Sequence, residues 1–291
     1  KKIKKSTADV VFLHSSAYVL PAWIGNLISK KRKKIIVRET QANHLKSKME
    51  WIWLAVALVI ADKVVFLSME YRDEIKKILS FFYRQKRVCV IPNGIHLDQY
   101  RGTNNGKAGT IIFGMQSRIV HLKDHQTLLH AFSLLLADNE LQGEKILLKI
   151  AGEGEYKNEL IKITADLQME HSVEFTGMLA EPELIAFLHS LDIYIHASLG
   201  ETMSTAIMQA MACSLPVIAS DVRGINNMIQ DGSNGMLVPV RNPAAMYRAM
   251  KTLINDPGTR ISIAEQARFS AEKNFSYSRM MESYKNLFLE Q

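Results

Sequence analysis

Apolar positions along this chain fall into two alternating rhythms. Short β-branched and aromatic runs read as buried strands, and longer stretches with apolar residues at helical spacing read as amphipathic helices. In the first hundred residues the pattern predicts strands over 8–14, 35–38 and 62–68, and helices over 17–29, 46–61 and 70–79. A further strand from 88 runs into a Pro92-Asn93-Gly94 turn. Beyond residue 110 the alternation is regular. Strands are predicted over 111–114, 145–151, 173–177, 193–195, 217–219 and 236–238, and helices over 123–137, 156–167 and 182–190. Three helices near 243–254, 258–273 and 276–289 close the chain. Strands separated by helices imply an α/β fold with parallel, doubly wound sheets.

One stretch carries most of the information. From Leu191 to Asp221 the chain reads as strand, polar loop, helix, turn and strand. His196 to Glu201 is too polar and small to continue the strand Ile193-Tyr194-Ile195, and Ser204 or Thr205 is placed to cap the helix that follows. Glu201 therefore stands where a strand's carboxyl end meets a helix's amino end. Ligands collect there in open α/β sheets, because backbone N–H groups and the helix dipole point into the crevice.

Length and composition narrow the picture. The 291 residues suggest about two domains, and 47% hydrophobic content supplies real cores. No apolar run reaches the roughly 20 residues of a spanning helix; 51–61 comes closest, and no secretory signal is visible. Cys89 and Cys213 give neither a disulfide framework nor zinc spacing, and they read as small buried hydrophobes of a reducing compartment. Charge is uneven. Residues 1–100 hold 19 Lys and Arg against 8 Asp and Glu, whereas 101–291 hold 17 against 21. The basic part suggests an anionic surface as partner. Anionic membrane is preferred over nucleic acid, since no zinc finger, aromatic RNA platform or helix-turn-helix accompanies the charge. The basic runs at 1–5 and 30–34, with the Trp51/Trp53 helix, are the candidates; a solvated loop is the competing reading of 30–34.

The Glu201 stretch resembles the sugar-nucleotide signature of family-four glycosyltransferases. That signature has a Glu, seven residues, a second Glu, then A-M-A-x-G-x-P-V-I-A. Glu201 fits the first position, Gln209 takes the second, Ser214 replaces the Gly, and Leu215 to Ala219 fits. The segment Arg118 to Lys123 with its following T-L-L-x-A-F is similar to the family's diphosphate-binding segment, and Ile91-Pro92-Asn93-Gly94-Ile95 to the end of its first domain. The resemblance implies a GT-B fold of two Rossmann-like doubly wound domains, the first incomplete. A partial acceptor-side domain would span 1–100, a linker 101–109 and a nucleotide-sugar domain 110–275, with a terminal helix at 276–291 packing back on the first domain. It also implies a metal-independent, retaining transfer of a hexose from a nucleoside diphosphate, with UDP the expected carrier, to a glycan or lipid-linked acceptor. Surface polysaccharide or lipopolysaccharide synthesis at the cytoplasmic face of a membrane would be the setting.

Roles follow residue by residue. Arg118 and Lys123 would stabilise the charge growing on the diphosphate leaving group. Glu201 would face the donor sugar, and the backbone of Thr202, Met203, Ser204 and Thr205 would reach phosphate or sugar oxygens. Gln209 would grip the ribose with a neutral acceptor in place of a carboxylate, a difference of roughly 1 kcal/mol. Gly152 and Gly154 would let backbone approach the nucleotide or make a tight turn, and Gly177 and Met178 would lie by the base. His196 is either a structural hydrogen bonder or a ligand contact. Near the donor sugar the family often has a His; Thr40 or Gln41 stands there, with His44 close by. No D-x-D pair, Ser-His-Asp arrangement or Walker A segment is present. Two other classes stay open: a sugar-nucleotide-binding module without turnover, and a membrane-associated interaction protein.

Overall fold

The structure, a computed structural model, describes residues 7–102 and 109–290. The basic run 1–5 and most of the expected linker 101–109 lie outside the described residues. The chain divides into two compact units, one of residues 1–93 with 278–291 and one of 94–277.

The first unit carries a four-stranded parallel sheet in the order β1 (Val10–Leu13), β2 (Lys34–Arg38), β3 (Lys63–Phe66), β4 (Val88–Val90). Helices α1 (Val19–Leu27), α2 (Lys48–Ile60) and α3 (Met69–Ile78) connect the strands. Helix α2 starts two residues later than its apolar pattern suggests. Ser47 closes a capping box with Glu50, which satisfies orphan N–H groups of the first turn and fixes the helix start at Lys48. Ser68 caps α3 singly, its Oγ accepting from Tyr71 N. One sheet face buries Ile35, Val37, Val64 and Phe66 against Leu54 and Leu58 of α2. The other packs Ile36, Val65 and Ile91 against Tyr284 and Leu287 of the last helix, Tyr277–Leu289.

The basic run 30–34 is split: Lys30, Lys31 and Arg32 are exposed, as a solvated loop would have them, and Lys33 is buried. Lys33 is 2% exposed. Asn26 brackets its backbone with two hydrogen bonds, and its Nζ donates to Ser29 Oγ at 3.0 Å. Lys31 pairs with Asp9, Arg32 with Asp62, and Lys34 with the carbonyls of Leu287 and Glu290. Lys33 is thus withdrawn from solvent, whereas the Lys31 and Arg32 pairs lie at the surface, where ion pairs are worth little.

The second unit holds a six-stranded parallel sheet: β5 (Thr110–Gln116), β6 (Lys145–Ala151), β7 (Val173–Gly177), β8 (Ile193–His196), β9 (Val217–Ser220) and β10 (Met236–Val238). Their spatial order is β10-β9-β8-β5-β6-β7, so the winding reverses between β5 and β8. Helices α4 (His125–Leu136) and α8 (Pro243–Asn255) cover one face, burying Leu128, Phe132, Met246 and Met250 with Phe113 and Leu148. Helices α7 (Thr205–Ala212) and α9 (Pro257–Asn274) cover the other, with Ile207, Met211, Ala267 and Ala271 around Tyr194 and Val217. Helices α5 (Lys157–Asp166) and α6 (Glu181–His189) complete the crossovers, and the closing helix is α10.

Three boundaries beside the loops after β5 and β8 differ from the sequence pattern. Strand β8 includes His196, whose ring is 1% exposed; its ladder to Ala219 outweighs the residue's polarity. Strand β5 runs on to Gln116 because β6 pairs with it along its whole length. Helix α4 starts at His125, since Asp124 takes a left-handed conformation at φ 34° that breaks the helix pattern. The stretch from Gly94 to Tyr100, expected with the first domain, falls in the second unit. Ile95 exchanges backbone bonds with Phe275 and Tyr277, and Tyr100 is buried beside α7.

Candidate active site

The strands on either side of the reversal, β5 and β8, send their following loops into one crevice. After β5 come Ser117, Arg118, a short 3-10 turn over His121–Lys123, and the left-handed Asp124. After β8 comes a loop to Ser204, whose Oγ accepts from Ile207 N and caps α7. The two loops are stitched together. Leu199 N donates to Leu122 O at 2.8 Å, and Ser198 Oγ donates to the same carbonyl at 3.3 Å. One residue along from Leu122, and two along from Leu199, Lys123 Nζ meets Glu201 Oε1 in an ion pair with both side chains mostly buried.

His196 completes the group. Its Nε2 lies 3.0 Å from Glu201 Oε1 and 3.3 Å from Ser204 Oγ. A carboxylate only accepts, so the ring carries its proton on Nε2 and donates it to Glu201. Burial raises the Glu201 pKa, but the His196 hydrogen bond and the Lys123 charge outweigh it and hold the carboxyl at about 2. Burial pushes His196 down, against the pull of Glu201, so the imidazole is neutral at pH 7. His125 is pushed down to about 4 by burial, then by His196 and Lys123; its Nε2 is 3.1 Å from Ser117 Oγ. At neutral pH the Glu201 carboxyl is therefore ionised and both imidazoles are neutral.

The remaining predicted residues are placed as follows. Arg118 is exposed on the β5 loop, its guanidinium without a hydrogen-bond or ion-pair partner among the described residues. Thr202 and Met203 are half-buried beside Glu201, and Thr205 is exposed at the start of α7. Gln209 has both ends of its amide engaged: Gln116 Nε2 donates to its Oε1, and its Nε2 donates to the Tyr100 hydroxyl at 2.7 Å. Gly152 and Gly154 are needed for backbone packing. A Cβ would lie 1.9 Å from Ser117 O at the first and 2.1 Å from Ile119 O at the second, so this turn braces the Arg118 loop from behind. Gly177, at φ 76°, accepts from Gly152 N at 2.7 Å, and Met178 is 78% exposed. In the first unit, His44 is exposed in the 3-10 turn Asn43–Leu45.

Some of the machinery carried no sequence signal. Gly224, at φ 92°, lets its backbone touch the Glu201 loop, where a Cβ would sit 2.5 Å from Glu201 O. Leu122 and Leu199 act through their backbone, to which sequence patterns are blind. Tyr100 lies 109 positions from its partner Gln209. Among the described residues no group of three or more His, Cys, Asp or Glu is placed to hold a metal ion.

With this geometry in hand, comparison assigns the class. Residues 98–269 match the family described as glycosyl transferases group 1, and the chain belongs to that family. A glycosyltransferase of Methanocaldococcus jannaschii is 26% identical over 276 residues, covering 89% of this chain and 68% of the relative. A D-inositol 3-phosphate glycosyltransferase of Streptomyces bingchenggensis is 28% identical over 227 residues, 73% of this chain and 50% of its own length. The chain thus spans between half and two thirds or so of these relatives. The crystal structure of Anabaena HepE in complex with UDP superposes with a TM-score of 0.83 at 18% identity, covering 97% of this chain and 79% of that one. The fold is the α/β GT-B fold of glycosyltransferases, with two parallel sheets.

Proposed function

We propose that this chain forms the donor-binding part of a retaining, metal-independent hexosyltransferase that moves a sugar from a nucleoside diphosphate to an acceptor hydroxyl. The observation that carries the reading is the meeting of Lys123 and Glu201 at the sheet's reversal, with a capped helix amino end beside them. Lys123, with Arg118 from the same loop, supplies positive charge to the departing diphosphate, where a preorganised cation is worth most. Glu201 stays ionised and accepts hydrogen bonds from the donor sugar. The pair holds both side chains in place before the donor arrives, so little reorganisation is left for the reaction. Gln209, engaged with Gln116 and Tyr100, gives the ribose a neutral contact. UDP is the nucleotide we favour, in line with the UDP named for the HepE complex. The acceptor is a glycan or lipid-linked hydroxyl of surface polysaccharide or lipopolysaccharide synthesis, and the first unit meets an anionic membrane surface.

A panel of nucleoside-diphosphate sugars, read by calorimetry and by product formation in EDTA, tests the proposal with the full gene product. Binding of one donor with metal-free product formation is expected. Binding without product for any acceptor tried would identify a sugar-nucleotide-binding module, and product that vanishes in EDTA would return the leaving-group role to a metal.

A further inference from the structure

The first unit carries a cationic and aromatic segment that the glycosyl-transfer reading does not use. From Ile75 to Leu97 the chain has no Asp or Glu, while Lys76, Lys77, Arg84, Lys86 and Arg87 fall within twelve residues. All five are exposed, and none has an ion-pair partner among the described residues. Between them the chain turns outward. Helix α3 ends at Ile78, and Phe82 N and Tyr83 N both return to Leu79 O at 3.0 Å. Tyr83 is buried and pins the turn from inside, its hydroxyl 3.1 Å from Gln85. Phe81 and Phe82 are left outside in an edge-to-face pair with ring centroids 5.2 Å apart. Phe81 is 80% exposed, Ile78 54% and Val59 of α2 48%. Leu58, Val59, both phenylalanines and residues 84–87 line a groove of about 690 Å³.

The arrangement is costly as a solvent surface. A turn that holds two aromatic rings at the surface, ringed by five cations without carboxylate partners, of which Arg84 and Arg87 donate only to the carbonyls of Phe81, Tyr83 and Val59, calls for a partner that is apolar inside and anionic at its edge. A bilayer surface has that profile: rings and Ile78 enter the acyl boundary, while lysine and arginine reach the phosphates. Nucleic acid matches the charge and the ring faces, but gives no apolar medium for Ile78 and Val59. We infer that residues 75–87, with Phe81 and Phe82 at their tip, are a docking site for an anionic phospholipid surface. The inference deepens the reading that the first unit meets such a surface, and it places the contact at 75–87 rather than at the run 30–34, where Lys33 is buried and Lys31 and Arg32 have carboxylate partners.

The test is co-sedimentation of the full chain with phosphatidylcholine vesicles, with and without phosphatidylserine, at two salt concentrations. The unmodified chain is expected to pellet with the anionic vesicles and to be released by salt. Phe81→Ser with Phe82→Ser should lower partitioning roughly tenfold or more. Lys77→Glu with Lys86→Glu should lower it roughly fivefold per site. Lys145→Glu, an exposed cation of the second unit, should change nothing. Circular dichroism confirms that each variant is folded. Vesicle binding that survives both double variants, or that falls equally with Lys145→Glu, overturns the segment while leaving membrane association standing. No binding by the unmodified chain overturns the anionic-surface reading itself. Retention on single-stranded RNA without vesicle binding assigns the cations to nucleic acid instead.

Discussion

Burial alone pushes a carboxyl pKa up, yet Glu201 sits at about 2 because a buried histidine and a buried lysine both favour its charge. The three groups form a unit. Lys123 loses its partner if Glu201 is neutralised, and Glu201 loses its charge compensation if Lys123 is removed. Lys123→Ala is expected to cut turnover at least about 100-fold, the order seen when one preorganised charge-stabilising group is lost. A variant that turns over at the unmodified rate with a proven donor would remove Lys123 from the chemistry. The polar loop 196–201 made Glu201 visible as a candidate, and the spacing from Arg118 ahead of T-L-L-x-A-F did the same for Lys123. Nothing in the sequence showed that they touch, because a bond between residues 78 positions apart depends on how two loops close. Gln209 shows the same limit. The substitution is plain in the letters, but its occupation by Gln116 and Tyr100 is a fact of packing.

Among the elements, strands and helices followed the apolar rhythm closely, with ends shifted in the first unit's helices and again next to the site. Strand β8 gained His196, β5 gained Gln116, and α4 lost the turn containing Lys123. Each end is decided by a neighbour: the ladder to β9, the ladder to β6, and the left-handed Asp124. The Gly152 turn belongs to this scale as well. Gly143 and Gly152 both have positive φ, 107° and 139°, but only Gly152 has backbone against it. Gly143→Ala should cost about 1 kcal/mol by urea unfolding, from backbone strain alone. Gly152→Ala should cost at least about 2 kcal/mol more, because its Cβ would collide with Ser117 O and displace the Arg118 loop. Equal losses would show that the turn does not brace the loop.

For the molecule as a whole, acid sensitivity is the measurable consequence of burying imidazoles beside the site. His125 titrates at about 4 when folded, against an ordinary value of 6.5. The unfolded chain binds that proton first, so the contribution to stability is fully present above pH 6.5 and is lost as pH falls through about 4. His125→Gln should flatten the stability profile of the second unit across that window, by up to about 1.4 kcal/mol per pH unit. The Glu201 contribution, present above about 4.5 and lost as pH falls toward about 2, should remain. An unchanged slope between pH 6.5 and 4 would place the proton elsewhere. At this scale the sequence by itself determined the parallel α/β plan, the uneven charge and the candidate residues Arg118, Lys123, Glu201 and Gln209. Those features rest on side-chain type and local spacing, which the chain carries in one dimension. Only the tertiary structure decided which cations stay unpaired, that β5 and β8 lie side by side, and that their loops bring Lys123 onto Glu201. Charge pairing and loop closure join residues distant in the chain, and burial sets their protonation, so neither follows from order alone.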